Sequence, residues 1–340
     1  MLSKNEKNNS GAKTVKFAVT SFVLLFVAVL ILGLFRIGTS QALTNSNKQG
    51  LGQSASQGER SCTQTTHAAF LACQYEKTDD YWIAVGNCAN LSDPGAKAEC
   101  LLDAKAEFKQ AIQECRDQKE ARAEVCEGLG EAPYDPQIDP ANFVDPRTAT
   151  PNEYFPLVPG TIRVYKGGPE TITVTVTGEI KEILGVPCII VYDVVKDHGE
   201  IIEDTEDWYA QDQDGNVWYF GELSKGFENG ELATLDGSWK AGVDSAKPGI
   251  VMEADPRKGD LYRQEFALGD AEDLAKVVSR GEESVSVRYG EFTEDVLKTK
   301  DFTPMEPDVK EFKYYVPGVG VVLEVNPDTG ERTELVSVTP

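Results

Sequence analysis

The residues best spaced to do chemistry are Asp212-x-Asp214-x-Asn216, because oxygen-bearing side chains at alternate positions open a calcium-binding loop. An EF-hand continues with glycine at its sixth position and glutamate at its twelfth, and here those positions hold Val217 and Leu223. The competing reading is a hairpin turn, in which Asp and Asn tolerate the required dihedrals and bond their own backbone. A second chemistry would use carboxylates in pairs. Glu200, Glu203, Asp204, Glu206 and Asp207 crowd one stretch, and an acid with a base or nucleophile held about 5 to 9.5 Å away hydrolyses glycosides. The same run otherwise reads as a solvated strand edge.

Nucleophilic triads require a histidine between a nucleophile and an acid. The two histidines are His67, in a cysteine-rich segment, and His198, before Gly199 in a turn, and neither has such neighbours in sequence. Cys188, in Pro187-Cys-Ile-Ile-Val191, reads as a small buried hydrophobe rather than a reactive thiol. The aromatics Trp208, Tyr209, Trp218 and Phe220 could line a surface for a sugar or a lipid, or form cross-strand core pairs. No catalytic residue and no cofactor follow from these residues.

Six further cysteines form a numerical palindrome. Cys62 with Cys126, Cys73 with Cys115 and Cys88 with Cys100 each sum to 188, and the mirror point is Pro94 within Ser92-Asp-Pro-Gly95. Two helices folded back at this turn would bring the pairs together as rungs. Six cysteines allow fifteen connectivities, and the nested ladder is the one the symmetry singles out. Zinc ligands come as close C-x2-C pairs, whereas here the intervening lengths are 10, 14, 11, 14 and 10. Disulfides belong to oxidising compartments.

Export is also written at the N-terminus. Lys4, Lys7, Lys13 and Lys16 precede an uncharged run from Phe17 to Phe35, which at about 1.5 Å per residue is long enough to span a bilayer. The lysines would stay cytoplasmic, placing the body outside as a single-pass membrane protein. Ser40-Gln-Ala42 meets the small-x-small rule, so the alternative is secretion after cleavage near Ala42. With 56 acidic and 33 basic residues the net charge is -23, which excludes the phosphate backbone of nucleic acid as a partner and favours cations or basic proteins.

The elements follow from composition. Residues 1–16 read as a cytoplasmic tail, 17–35 as a transmembrane helix or signal sequence, and 36–60 as a flexible spacer rich in Ser, Gln, Asn and Gly. Residues 61–127 read as a six-cysteine α-hairpin whose first helix ends near Val85, before Gly86 and Asn87. Residues 128–151 carry Pro133, Pro136, Pro140, Pro146 and Pro151, a stiff connector expected to hold the next domain away from the hairpin. Residues 152–340 read as an antiparallel β domain of ten to twelve short strands, a curled sheet or open β-barrel, with helical periodicity only at 270–279. Within it, Thr171–Thr177 alternates hydroxyl and apolar faces, Pro187–Val195 suits a central strand, and 318–325 with 331–338 form a closing hairpin. If Asp214-Gly215 is a two-residue turn, Tyr209 lies opposite Phe220 and Gln211 opposite Trp218.

Three motifs in order, Asn152-Glu-Tyr-Phe-Pro-Leu-Val-Pro-Gly160, Trp208-Tyr-Ala-Gln-Asp-Gln-Asp-Gly-Asn-Val-Trp-Tyr-Phe-Gly-Glu222 and Tyr314-Tyr-Val-Pro-Gly-Val-Gly-Val-Val322, resemble a family of exported bacterial β-domains that has no known activity. The resemblance covers 152–324 and implies an envelope or secreted protein with a curled antiparallel sheet, similar to open barrels that carry lipophilic molecules. It supplies no catalytic residues. The expected function is therefore a binding or interaction module, for a hydrophobic small molecule or an envelope protein partner, presented on a disulfide-stapled stalk. The alternative is an extracytoplasmic hydrolase using acidic residues, with or without calcium.

Overall fold

Residues 60–340 are described by the structure, a computed structural model. The membrane segment expected at 17–35, the tail before it, the spacer as far as residue 59 and the cleavage position at Ala42 lie outside them. Among the described residues no helix is long and apolar enough to cross a membrane.

Two antiparallel helices come first, α1 (Ser61–Ala89) and α2 (Pro94–Leu129). Ala, Glu, Lys and Gln favour them, but they bury little: Thr66, Ala69 and Cys88 on α1 and five residues on α2. Covalent rungs compensate. Cys62–Cys126, Cys73–Cys115 and Cys88–Cys100 are disulfide-bonded, with Cα separations of 5.6, 5.8 and 5.6 Å. Each such crosslink stabilises by about 2 to 4 kcal/mol. These bonds put this part of the chain in an oxidising, extracytoplasmic compartment.

Two details of the hairpin differ from expectation. Helix α1 runs through Gly86 and Asn87 to Ala89, because the Cys88 rung and packing on α2 outweigh the roughly 1 kcal/mol that a helical glycine costs. Pro94 is not the apex of the turn. It is the first residue of α2, where its missing N–H is harmless, and Asp93 caps the helix by accepting the Ala96 N–H at 2.7 Å.

Fifteen strands follow: β1 (Ile162–Gly167), β2 (Glu170–Ile183), β3 (Val186–Asp197), β4 (Glu200–Gln211), β5 (Val217–Glu228), β6 (Glu231–Thr234), β7 (Trp239–Lys240) and β8 (Lys247–Met252). The remainder are β9 (Leu261–Arg263), β10 (Glu265–Phe266), β11 (Leu274–Val287), β12 (Gly290–Phe302), β13 (Lys310–Val316), β14 (Gly320–Val325) and β15 (Arg332–Thr339). They make one antiparallel sheet in the order β10-β8-β5-β4-β3-β2-β1-β15-β14-β13-β12-β11-β9, with β6 and β7 beside β5. Strands outnumber the ten to twelve expected, and the helical reading of 270–279 fails, since β11 occupies most of it.

The sheet curls without closing into a hydrogen-bonded barrel. Its end strands β9 and β10 are consecutive in the chain, separated only by Gln264. The two edges therefore meet. A Cβ on Gly249 of β8 would collide with the Gln264 carbonyl, so only glycine lets the edges approach this closely.

The connector does not hold the hairpin away. Its Phe143 packs on Trp218 and Phe220 with ring centroids 6.1 and 5.6 Å away, and its Tyr134 donates to the Pro248 carbonyl at 2.9 Å. Prolines at this density have few backbone donors to satisfy, so the extended chain can lie flat on the sheet. The base of the hairpin is docked as well. Gln118 donates to the Met305 carbonyl at 2.9 Å, and Arg122 makes a buried ion pair with Glu272.

Candidate functional site

A cleft of about 340 Å³ lies where the hairpin base, the connector and the joined sheet ends converge. Such a volume is within the range of small-molecule sites. Cys62, Thr66 and Val125 line it from the hairpin, Pro133 and Tyr134 from the connector, and Trp218, Ile250, Tyr262 and Phe266 from the sheet. The walls are thus mainly apolar and aromatic. Three charged side chains enter them: Arg122, Arg263 and Glu272.

Two guanidiniums lie near one carboxylate, and only Arg122 binds it. Arg122, 5% exposed, donates from Nε at 2.9 Å to Oε2 and from Nη2 at 2.6 Å to Oε1 of Glu272, whose Oε1 also accepts the Gly269 N–H. Its Nη1 is buried with no partner among the described residues. Arg263, 9% exposed, likewise has a buried Nη1 without a partner, and none of its nitrogens makes a hydrogen bond or ion pair among the described residues. It is held by rings instead, 4.8 Å from the Phe266 centroid and 5.6 Å from that of Tyr134. Burial lowers the pKa of Arg263 and nearby Glu272 offsets part of that, but an arginine remains charged at any physiological pH. A buried cation with an open donor edge in an apolar cleft is arranged to receive an anion in the plane of its fork.

The interior of the curl has the opposite charge. On adjacent strands Val191 faces Asp207 and Asp207 faces Glu222, while Asp193 faces Thr205 and Thr205 faces Ser224. Across the curl Asp301 lies opposite Glu311, and Lys313 opposite Glu324. All of these carboxyls are buried. Burial, then Asp207, Glu203 and Glu324, raises the Asp193 pKa well above the usual carboxylate range, and neither Asp193 oxygen has a hydrogen-bond partner among the described residues. Burial likewise raises Glu222 and Glu265, pushes Asp207 and Asp273 to about 7, and with Glu324 pushes Glu311 to about 11. Lys313, 3.1 Å from Asp301, is the cation set among them. Burial thus favours the protonated form of Asp193, Asp207, Glu222, Glu265, Asp273 and Glu311.

The residues singled out from sequence fall differently. Asp212, Asp214 and Asn216 form the β4–β5 turn: Asp212 Oδ1 accepts the Asn216 N–H at 2.9 Å, and Oδ2 accepts Asn216 Nδ2 and Trp218 Nε1 at 2.8 Å each. The Asp212 oxygens are engaged in holding the turn. Among the described residues no three Asp, Glu, His or Cys side chains converge to hold a metal ion. The turn spans five residues, so Tyr209 pairs with Tyr219 and Gln211 with Val217, one position from the expected register. Side-chain bonding by Asp212 displaced the two-residue reading next to the turn, and a bulge at 207–209 restores the expected register beyond it, where Asp207 pairs with Glu222.

Tyr209 and Tyr219 stack at 4.8 Å and are buried, as are Trp208 and Phe220. Of the four flagged aromatics only Trp218 reaches the cleft. The carboxylate run 200–207 is no strand edge, since β4 lies between β3 and β5. Asp207 points inward and accepts the Tyr219 hydroxyl at 2.6 Å, whereas Glu206 accepts Trp208 Nε1 at 2.8 Å. His67 and His198 are exposed, and His198 with Gly199 forms a two-residue turn with φ of 50° and 92°. Cys188 is fully buried and its thiol pKa is raised by burial. Sequence reasoning missed Arg122, Arg263 and Glu272. The available signal was an arginine in a strand beside aromatics, Tyr262-Arg263-Gln-Glu-Phe266.

The three sequence motifs meet in a structural knot. Asn152 donates from Nδ2 to the Gly215 and Glu253 carbonyls at 2.9 and 3.0 Å, and its Oδ1 accepts the N–H groups of Tyr154 and Phe155. Gly318 N–H donates to the Glu153 carbonyl at 2.8 Å, and Arg163 ties Val319 to Pro156. The motifs therefore record how distant strands are fastened. No protein-family model, curated protein or solved structure matches the chain.

Proposed function

We propose that the β body is the binding module of an envelope-anchored or secreted protein, and that its cleft takes an anionic amphiphile, a carboxylate or phosphate head on an apolar tail. The observation that carries this reading is the buried guanidinium of Arg263, whose Nη1 has no hydrogen-bond partner among the described residues, whose one nearby acid in the cleft, Glu272, is already bound to Arg122, and which has an apolar cleft in front of it. Leaving such a charge uncompensated is costly unless a ligand completes it. The resemblance of 152–324 to exported β-domains agrees with a lipophilic cargo. Hydrolysis by paired carboxylates finds less support, because the acids of the curl are buried away from the cleft, and Glu272, the one carboxylate lining the cleft among the described residues, is bound to Arg122.

Native mass spectrometry of the chain purified in mild non-ionic detergent tests the proposal. The expected result is an adduct that is displaced by excess decanoate and not by decyltrimethylammonium. Displacement by both equally, or binding of neither decanoate nor decyl phosphate, would refute it.

A further inference from the structure

Helix α1 carries a second periodic surface, facing away from the disulfides. Ala68, Leu71, Tyr75, Thr78, Trp82, Val85 and Ala89 alternate steps of three and four without a break. At 100° per residue they fall in one narrow stripe, and Cys73 lies about 160 to 200° round the helix from its centre. A two-in-seven stripe of this kind is the seam of a coiled coil, narrower than the face a helix needs for packing on a globular core. Most of it is open among the described residues, with Thr78 and Val85 half-buried and the Trp82 ring 5.3 Å from that of Tyr81. Tyr75 is 74% and Trp82 63% exposed, and Leu71, Ala68 and Ala89 are exposed too.

We infer that this seam is the contact between two copies of the chain. Its sequence is self-complementary. An antiparallel two-fold pairing that sets Leu71 against Trp82 also sets Tyr75 against Thr78 and Ala68 against Val85, so bulky side chains meet smaller ones. The Thr78 hydroxyl is already bonded to the Gln74 carbonyl at 2.6 Å, so it brings no unsatisfied donor into the contact. The stripe contains no charge, and the positions flanking it include the small Ala72 and Gly86 and one exposed acid, Asp79. The two aromatics alone expose roughly 300 Å², and with the rest of the seam two copies cover on the order of 1,000 Å², near the lower limit for a specific interface. A reversible dimer is the consequence. The sheet domain docks near the Ser61 end of the hairpin, where Gln118 donates to the Met305 carbonyl and Arg122 meets Glu272, so antiparallel pairing carries the two sheet bodies at opposite ends.

Sedimentation velocity on the full chain in mild non-ionic detergent, over roughly 1 to 100 µM, tests this directly. The expected result is a concentration-dependent dimer that weakens at least about 30-fold in Tyr75→Glu/Trp82→Glu. Both positions are exposed, and an unchanged circular dichroism spectrum with an unchanged non-reducing peptide map confirms that the variant folds. Small-angle scattering of the wild-type dimer should show two separated lobes. A chain that stays monomeric throughout, a dimer indifferent to the double substitution, or lobes side by side would overturn the inference.

Discussion

The cleft and the interior of the curl are both buried and both charged, yet they manage charge in opposite ways. In the cleft, two guanidiniums that remain ionised meet a single carboxylate. In the interior, carboxyls outnumber Lys313 and meet burial by taking up protons, as the raised values of Asp193, Asp207, Glu222, Glu265 and Glu311 record. An acid can neutralise itself at neutral pH and an arginine cannot. The interior can shed its charge by protonation even where oxygens such as those of Asp193 and Glu265 lack hydrogen-bond partners among the described residues, whereas the cleft keeps its positive charge and calls for an anion from outside.

The same chemical change, carboxyl to amide, should separate the two regions. In Glu272→Gln the Arg122 charge loses its buried counter-ion, and about 3 to 5 kcal/mol of stability should go with it, read as a drop in the urea midpoint at pH 7. In Glu265→Gln a neutral acid gives way to a neutral amide. The midpoint at pH 5 should move by less than about 1 kcal/mol, and at pH 8 the variant should be the more stable protein. Equal losses in both variants would erase the distinction.

The pH dependence of the wild-type chain sharpens it further. Carboxyls of the unfolded chain titrate near 4, whereas Asp207 and Asp273 titrate at about 7 in the fold. The folded state thus holds protons that the unfolded state has released. Their stabilising contribution is fully present below about pH 4 and is lost as pH rises through about 7. Thermal melts should show a higher Tm at pH 5 than at pH 8, by several degrees, the reverse of ordinary acid denaturation. A smaller effect is expected at the seam between the sheet edges, where Gly249→Ala should lower stability by about 1 to 3 kcal/mol through its clash with Gln264. It should do so equally at both pH values.

How much of this was legible depended on range. The disulfide ladder could be read because two regular helices convert sequence spacing directly into height along a hairpin. Strands such as Thr171–Thr177 and the hairpin closing at 320–339 were legible from their alternation and turn residues. The register after Asp212 was not, because a side chain that bonds Asn216 and Trp218 rewrites the turn. Asp193 is the one charged residue in Pro187–Val195, but its acidic neighbours come from β4 and from β14, which only the curl brings to it. The cleft was hidden for the same reason: Arg122 and Glu272 are 150 residues apart.

The central claim rests on Arg263, and isothermal titration of decanoate into wild type and Arg263→Leu, with Trp218 fluorescence recorded in parallel, tests it most directly. Wild type should bind decanoate, and the variant should bind it about 10- to 100-fold more weakly, the worth of charge-assisted hydrogen bonds. Without ligand the variant should melt no lower than wild type, because the leucine relieves a buried charge that makes no hydrogen bond or ion pair of its own among the described residues. Decanoate bound equally by both proteins, or a ligand-free variant that melts well below wild type, would contradict the account.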